Sequence, residues 1–159
     1  MIQASKFLDD SFHIYITGTG ELTEKLHEEA RGDKKITFTG RIDDDELKSL
    51  ILASDLFCFP SITKNEAFGL ALAEGMYYEK PAITFSIQGS GVNYVSLDKV
   101  TGIEVENRNV KKYADAMRLL AQNEELRVKY GKAGKKRIEE NFLSTQFTKN
   151  IRNMFKSIL

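Results

Sequence analysis

Five short runs rich in β-branched and aromatic residues punctuate the first two thirds of the chain, with helical patterns between them. Phe12–Thr17 closes at Gly18, Ile36–Thr39 at Gly40 and Leu56–Phe59 at Pro60-Ser61; Ala82–Phe85 follows Pro81, and Gly102–Val105 is a weaker fifth run. Several are apolar on both faces, as central strands of a parallel sheet are when helices cover each side. Between the first two runs, Leu22, Leu26 and Ala30 recur at a spacing of four. Asp43-Asp44-Asp45-Glu46 precedes Leu47, Leu50 and Ile51, so Asp43 is expected to cap a helix with Glu46 reaching back in a capping box. The stretch Phe68 to Tyr78 is apolar nearly all round and predicts a buried helix. This alternation predicts βαβ units and an α/β fold: a three-layer open parallel sheet with helices on both faces.

The last third is purely helical in pattern. Val110, Tyr113, Ala114, Met117, Leu120 and Ala121 follow one helical face, and Phe147, Ile151, Met154, Phe155 and Ile158 another. Between them, Glu124 to Asn141 is a more polar helix carrying Leu126, Tyr130, Ala133 and Ile138. Residues 109–159 thus form a helical tail. Only two prolines and no Gly/Ser-rich tract interrupt the chain, so residues 1–159 are expected to form one domain.

Composition narrows the function classes. A chain of 159 residues fits the usual domain size of about 100–200 and can bury roughly 70% of its unfolded surface. No apolar run nears the ~18 residues of a membrane span, and the start MIQASKFLDDSF lacks a secretory-signal layout. The one cysteine, Cys58, excludes an internal disulfide and a cysteine metal cluster. Lys and Arg total 23 and Asp and Glu total 23, which argues against a globally basic nucleic-acid binder. The balance conceals an asymmetry: residues 1–108 carry 11 basic and 18 acidic side chains, a net of −7, and residues 109–159 carry 12 and 5, a net of +7.

One segment carries chemistry. After the strand ending at Pro60, a polar loop runs through Thr63-Lys64-Asn65-Glu66 into the helix expected near Phe68. In an open α/β sheet ligands bind beyond the carboxyl ends of the strands. The N–H groups of Phe68, Gly69 and Leu70 would be free donors of the first turn, a setting that favours phosphate, and Gly69 leaves room for close approach. Glu66 stands just before this turn and Glu74 eight residues on. A carboxylate in an apolar helix wants hydroxyl or amide donors, which sugar hydroxyls supply. Equally, Glu66 reads as favourable charge at a helix N-terminus and Glu74 as a surface position.

Pro60-Ser61, Glu66-Ala67-Phe68-Gly69-Leu70, Glu74-Gly75-Met76 and Lys80-Pro81-Ala82-Ile83 resemble the E-x7-E segment of retaining GT-B glycosyltransferases, the large glycosyltransferase family 4, or group 1. The resemblance extends in order along most of the chain. Thr17-Gly18-Thr19-Gly20 is similar to the family's second strand and glycine turn, and Ile36-Thr37-Phe38-Thr39-Gly40-Arg41-Ile42 to its "V-x-F-x-G" strand. Leu52-Ala53-Ser54-Asp55-Leu56 is similar to the "Y-x-x-A-D" approach. Gly91-Val92-Asn93-Tyr94-Val95 resembles the following "G-x-x-E-x-V" region, with Asn93-Tyr94 in place of the commoner Pro-Glu. Tyr130 to Phe142 resembles the family's ending.

This resemblance implies a Rossmann-like, donor-binding C-terminal half of a two-domain enzyme, lacking its acceptor domain and its own first strand with the Arg and Lys that hold the donor diphosphate. It implies that Glu66 is the catalytic carboxylate at the transferred sugar, that the N–H groups of Phe68, Gly69 and Leu70 approach sugar and diphosphate, and that Glu74 accepts from the ribose. Arg41 and Ile42 would lie near the base, and Gly18 would flank the donor. The donor would be a UDP-, GDP- or dTDP-sugar, transferred with retention and without a protein nucleophile, cofactor or metal; Asp43-Asp44-Asp45 reads as a cap and first-turn acid cluster rather than a metal motif. The form "T-F-x-I-x-G-S-G-V-N" resembles enzymes of bacterial surface polysaccharide synthesis, which places the intact enzyme in the cytoplasm, with peripheral association at the inner face of the plasma membrane as an option.

Ser86 to Asn93 faces the same cleft, either as a plain connector or as a glycine loop near the sugar. His13 is expected in the core, His27 in solvent, and Cys58 buried and inert. The basic side chains Lys132, Lys135, Lys136, Arg137, Lys149, Arg152 and Lys156 read first as a solvated face, and otherwise as a complement to an acidic surface or anionic lipid. Three other functions stay open: a non-catalytic nucleotide-binding α/β module, a nucleotide-sugar epimerase fragment, and an interaction domain with the tail as interface.

Overall fold

The computed structural model describes residues 1–143, 145, 146, 148, 151, 152 and 155. The elements follow in the order α1 (Ile2–Ser5), β1 (Ile14–Thr17), α2 (Thr23–Glu29), β2 (Ile36–Gly40), α3 (Asp44–Ala53), β3 (Phe57–Phe59), α4 (Leu70–Tyr77), β4 (Ala82–Phe85), α5 (Val92–Val95), β5 (Gly102–Val105), α6 (Val110–Gln122) and α7 (Glu124–Asn141). All five expected runs form strands. β1 starts two residues later than its β-rich run, at Ile14, whose N–H reaches the Lys35 carbonyl at 2.7 Å.

Helix starts follow local chemistry. Asp43 accepts from the Glu46 N–H (2.8 Å) and Glu46 accepts from the Asp43 N–H (3.3 Å), the capping box expected from the sequence. Asn109 and Asn123 cap α6 and α7 by accepting from the N–H groups of Lys112 and Leu126. Such caps are each worth about 1 kcal/mol. Only Asn123 separates α6 from α7. Of the second tail pattern, Ile151 and Phe155 are exposed, while Phe147, Met154, Ile158, Lys149 and Lys156 lie outside the described residues.

Every strand pairing is parallel, with β1 beside β2 and β4 between β3 and β5. The expected open sheet is therefore hydrogen-bonded in two parts, and among the described residues no ladder joins β1 to β3. The backbone groups of alternate residues in a parallel strand point to opposite sides. The Ile14 N–H faces β2 and the Phe57 N–H reaches the Pro81 carbonyl before β4 (3.1 Å). Tyr15 and Cys58 therefore direct their N–H and C=O away from those partners.

Side-chain alternation divides the core between two faces. Ile83 and Phe85 of β4 join Ala4, Leu8, Ile14, Val105 and the α6 residues Tyr113, Met117 and Leu120. Ala82 turns to the other face with Leu72, Met76, Val92, Val95 and Ile138, against which Phe57 and Phe59 pack. Helices thus cover both faces. β4 is buried at every position, and Tyr113 anchors α6 to it by donating to the Ile83 carbonyl (2.7 Å). Cys58 packs on the first cluster; burial pushes its thiol from the ordinary 9.0 up to about 11.

Candidate functional site

The segment between β3 and α4 lies at the carboxyl end of its strand. The helix opens at Leu70, two residues later than Phe68, because Gly69 takes the N-cap position with φ of 85°. That left-handed backbone favours glycine. A methyl there would also press on the Leu72 side chain at 3.2 Å. The Gly69 N–H is not free: it donates to Glu66 Oε1 at 3.0 Å. Glu66 therefore lies against the positive end of α4, which favours a carboxylate.

Helix α4 is buried on one side only, contrary to the all-round burial expected from its composition. Leu72, Gly75 and Met76 face the core, while Leu70 (76% exposed), Ala71 and Glu74 face outward. Alanine and leucine are apolar wherever they stand, so composition alone does not reveal a helix face. Glu74 lies three and four residues beyond Ala71 and Leu70, on the same side of the helix. Its carboxylate makes no hydrogen bond or ion pair among the described residues. Gly75 sits under the Phe57 ring, which a methyl would overlap. That contact sets α4 close on β3, with Glu66 at the helix start and Glu74 just over one turn in.

The other expected residues form a second group. The Gly18 N–H donates to the Gly40 carbonyl at 2.7 Å, joining the ends of β1 and β2. Arg41 and Ile42 follow directly, with Arg41 exposed. Gly18, Arg41 and Ile42 are thus neighbours, each at the carboxyl end of its strand, on a different ladder from Glu66, Phe68, Gly69, Leu70 and Glu74.

Residues with no local signature complete the site. Ser90 Oγ donates to the Glu66 carbonyl (2.5 Å) and the Gly91 N–H to the Ala67 carbonyl (2.9 Å). Asn107 Nδ2 donates to the Ile62 carbonyl (3.1 Å). Phe68 stacks edge-on against Phe142, with ring centroids 5.3 Å apart. The glycines at 89 and 91 were the only sequence hint of a loop near this place; the partners themselves are 24 and 45 residues apart for Ser90 and Asn107.

One further expectation is corrected and two gain detail. His13 is exposed, not in the core; it precedes β1 and its Nε2 pairs with Thr37 Oγ1 at 2.9 Å. His27 is exposed as expected but stacks on Phe38. On the basic face of α7, Lys132 and Lys136 stay exposed while Lys135 and Arg137 are partly buried. Lys135 pairs with Glu79, Lys136 with Glu140, and Arg137 donates to the carbonyls of Val95 (2.9 Å) and Tyr94 (2.5 Å). Among the described residues no group of three or more His, Cys, Asp or Glu converges on a metal position, and no helix is long and apolar enough to cross a membrane.

Comparison with known proteins gives this geometry its context. The family described as glycosyl transferases group 1 matches residues 1–137. The chain is 31% identical over 148 residues to an O-antigen chain mannosyltransferase C of Escherichia coli, covering 92% of this chain and 40% of that one. It is 32% identical over 133 residues to the D-rhamnosyltransferase WbpZ of Pseudomonas aeruginosa, covering 82% of this chain and 35% of that one. Its fold matches Anabaena Alr3699/HepE, crystallised with UDP, at a TM-score of 0.85 and 16% identity over 98% of this chain and 44% of that one; another structure of the same protein holds UDP-glucose. The chain thus spans well under half the length of these relatives. With a Glu66–Glu74 pair framing the start of α4 on such a fold, the chain belongs to the glycosyl transferases group 1 family.

Proposed function

We propose that the chain is the donor-binding domain of a retaining glycosyltransferase that moves a sugar from a UDP-, GDP- or dTDP-sugar to an acceptor in bacterial surface polysaccharide synthesis. One observation carries this: Glu66 is held against the N-terminus of α4 through the Gly69 N–H at 3.0 Å, while Glu74 stands exposed and unpartnered among the described residues on the same helix. Glu66 would bind hydroxyls of the transferred sugar as the catalytic carboxylate. Glu74 would accept from the ribose. The N–H groups of Phe68 and Leu70 would face the diphosphate, with Gly69 allowing the close approach. Arg41, Ile42 and Gly18 would border the nucleotide from the other ladder. The UDP and UDP-glucose complexes of HepE and the O-antigen relative support the donor class and pathway type.

Retention would follow from attack of the acceptor on the face the diphosphate leaves, assisted by a leaving-phosphate oxygen. The protein's part is positioning and stabilisation of departing charge. Helix N–H groups supply that stabilisation without a metal, so nucleotide binding measured by calorimetry should survive EDTA; strict metal dependence would overturn this part. The break between β1 and β3 would take the family's first strand, and an acceptor-binding domain would complete the cleft. The isolated chain would then bind nucleotide weakly and transfer nothing. The intact enzyme would act in the cytoplasm.

Two measurements test the proposal. NMR titration with UDP, GDP or dTDP should move amides at 66–74 and 41–42; no shift at millimolar nucleotide would count decisively against it. In the intact enzyme Glu66→Ala should lower turnover about 100-fold or more, the scale of a lost charge-stabilising contact. Near-normal turnover would reject the role given to Glu66.

A further inference from the structure

We propose that Ser90, Gly91 and Asn107 are positioning residues, which hold the Glu66 loop in register with the N-terminus of α4; this rests on the role given to Glu66 above. The loop from Pro60 to Gly69 has no helix or strand of its own, and Ile62, Thr63, Lys64 and Asn65 are exposed. Such a loop would ordinarily leave its carbonyls to water. Three of them are instead taken by donors from elsewhere. Asn107, in the loop after β5, holds the Ile62 carbonyl at 3.1 Å. Ser90 and Gly91, in the loop after β4, hold the carbonyls of Glu66 and Ala67 at 2.5 and 2.9 Å.

The donors are themselves anchored. Asn93 accepts from the Ile87 N–H (2.8 Å) and donates to the Phe85 carbonyl (3.0 Å) and to Glu104 Oε2 (2.8 Å). The 86–92 loop is thereby pinned to the ends of β4 and β5. Ser90 Oγ also accepts from the Val92 N–H at 3.2 Å, so its one proton is free for Glu66. Gly91 is the point of closest approach, where a methyl would overlap the Ala67 carbonyl oxygen. The peptide units on either side of Ala67, Glu66–Ala67 and Ala67–Phe68, are thus fixed from outside the loop. With the backbone fixed, the Glu66 carboxylate meets the Gly69 N–H instead of sampling solvent. A reacting-centre group displaced by about 1 Å costs a factor on the order of 100 in rate, so fasteners on the backbone of Glu66 act on catalysis without touching substrate.

Ser90→Ala tests this in two ways. In this chain, the Gly69 amide resonance should move while the thermal midpoint stays within about 3 °C, since only one partly exposed hydrogen bond is lost. In the intact enzyme, kcat should fall about tenfold, equivalent to one such bond, with KM for the donor near wild type. Ser90→Thr, which keeps the hydroxyl, should restore both readouts. Asn107→Ala should shift the same amide to a smaller extent and keeps the test open if Ser90→Ala folds poorly. An unmoved Gly69 amide in both alanine variants, or unchanged kcat in Ser90→Ala where Glu66→Ala is impaired, would overturn the positioning role alone. Normal turnover in Glu66→Ala would instead remove the reading of Glu66 on which it rests.

Discussion

The two parallel ladders end differently. On the β3–β4–β5 side, the loops after three successive strands are fastened to one another through Ser90, Gly91 and Asn107, over a β4 that is buried throughout. On the β1–β2 side, Gly18 and Arg41 are exposed turns joined by the Gly18–Gly40 backbone bond at 2.7 Å. Tyr15 of β1 is half exposed. One ladder therefore presents a carboxylate, Glu66, held in place, and the other presents exposed turns. Preorganised groups are the ones able to stabilise charge without rearrangement, which fits the role proposed for Glu66 on the fastened side.

Steric substitutions should separate the ladders most. Gly75→Ala drives a methyl into the Phe57 ring and should cost about 1–3 kcal/mol by overpacking, read as a lower urea midpoint. Gly18→Ala meets no atom within 4 Å, so only its φ of 95° resists. It should cost about 1 kcal/mol, with little effect on amides near Glu66. Equal losses, or a Gly18→Ala shift at Gly69, would break the contrast.

A smaller effect probes the face of β3 that packs under α6. The Cys58 thiol, pushed up by burial to about 11 from 9.0, is protonated and slow toward thiol reagents at pH 8. Its folded value lies above the unfolded one, so its contribution to stability is intact below about pH 9 and lost as pH rises toward about 11. A flat stability profile across that window, or rapid labelling of the native chain, would show that face of β3 open to water.

Much of this was legible in the residues. The strand runs, the Asp43–Glu46 capping box and the helical patterns of α6 and α7 are short-range patterns, and each appeared close to where it was expected. The capping box is legible because its two partners are three residues apart. The E-x7-E segment was visible through its resemblance to a known family, whose motif is contiguous in sequence. The face of α4 was not, because its leucines and alanines are apolar on both sides and only the packing of Gly75 on Phe57 selects one. On α7 the basic residues were visible in the sequence, but a partner such as Glu79 for Lys135, 56 residues away, was not.

The sequence by itself therefore determined the α/β alternation, the helix boundaries set by caps, and the two carboxylates eight residues apart. Tertiary structure alone decided that Glu74 is exposed, that the Gly69 N–H belongs to Glu66, that the ladders part between β1 and β3, and that three carbonyls of the Glu66 loop are held from outside. The division has a physical cause. Caps and periodicities are energies between residues within a turn or two of each other. Edges, burial and loop fastening are energies between segments whose meeting only the folded chain establishes.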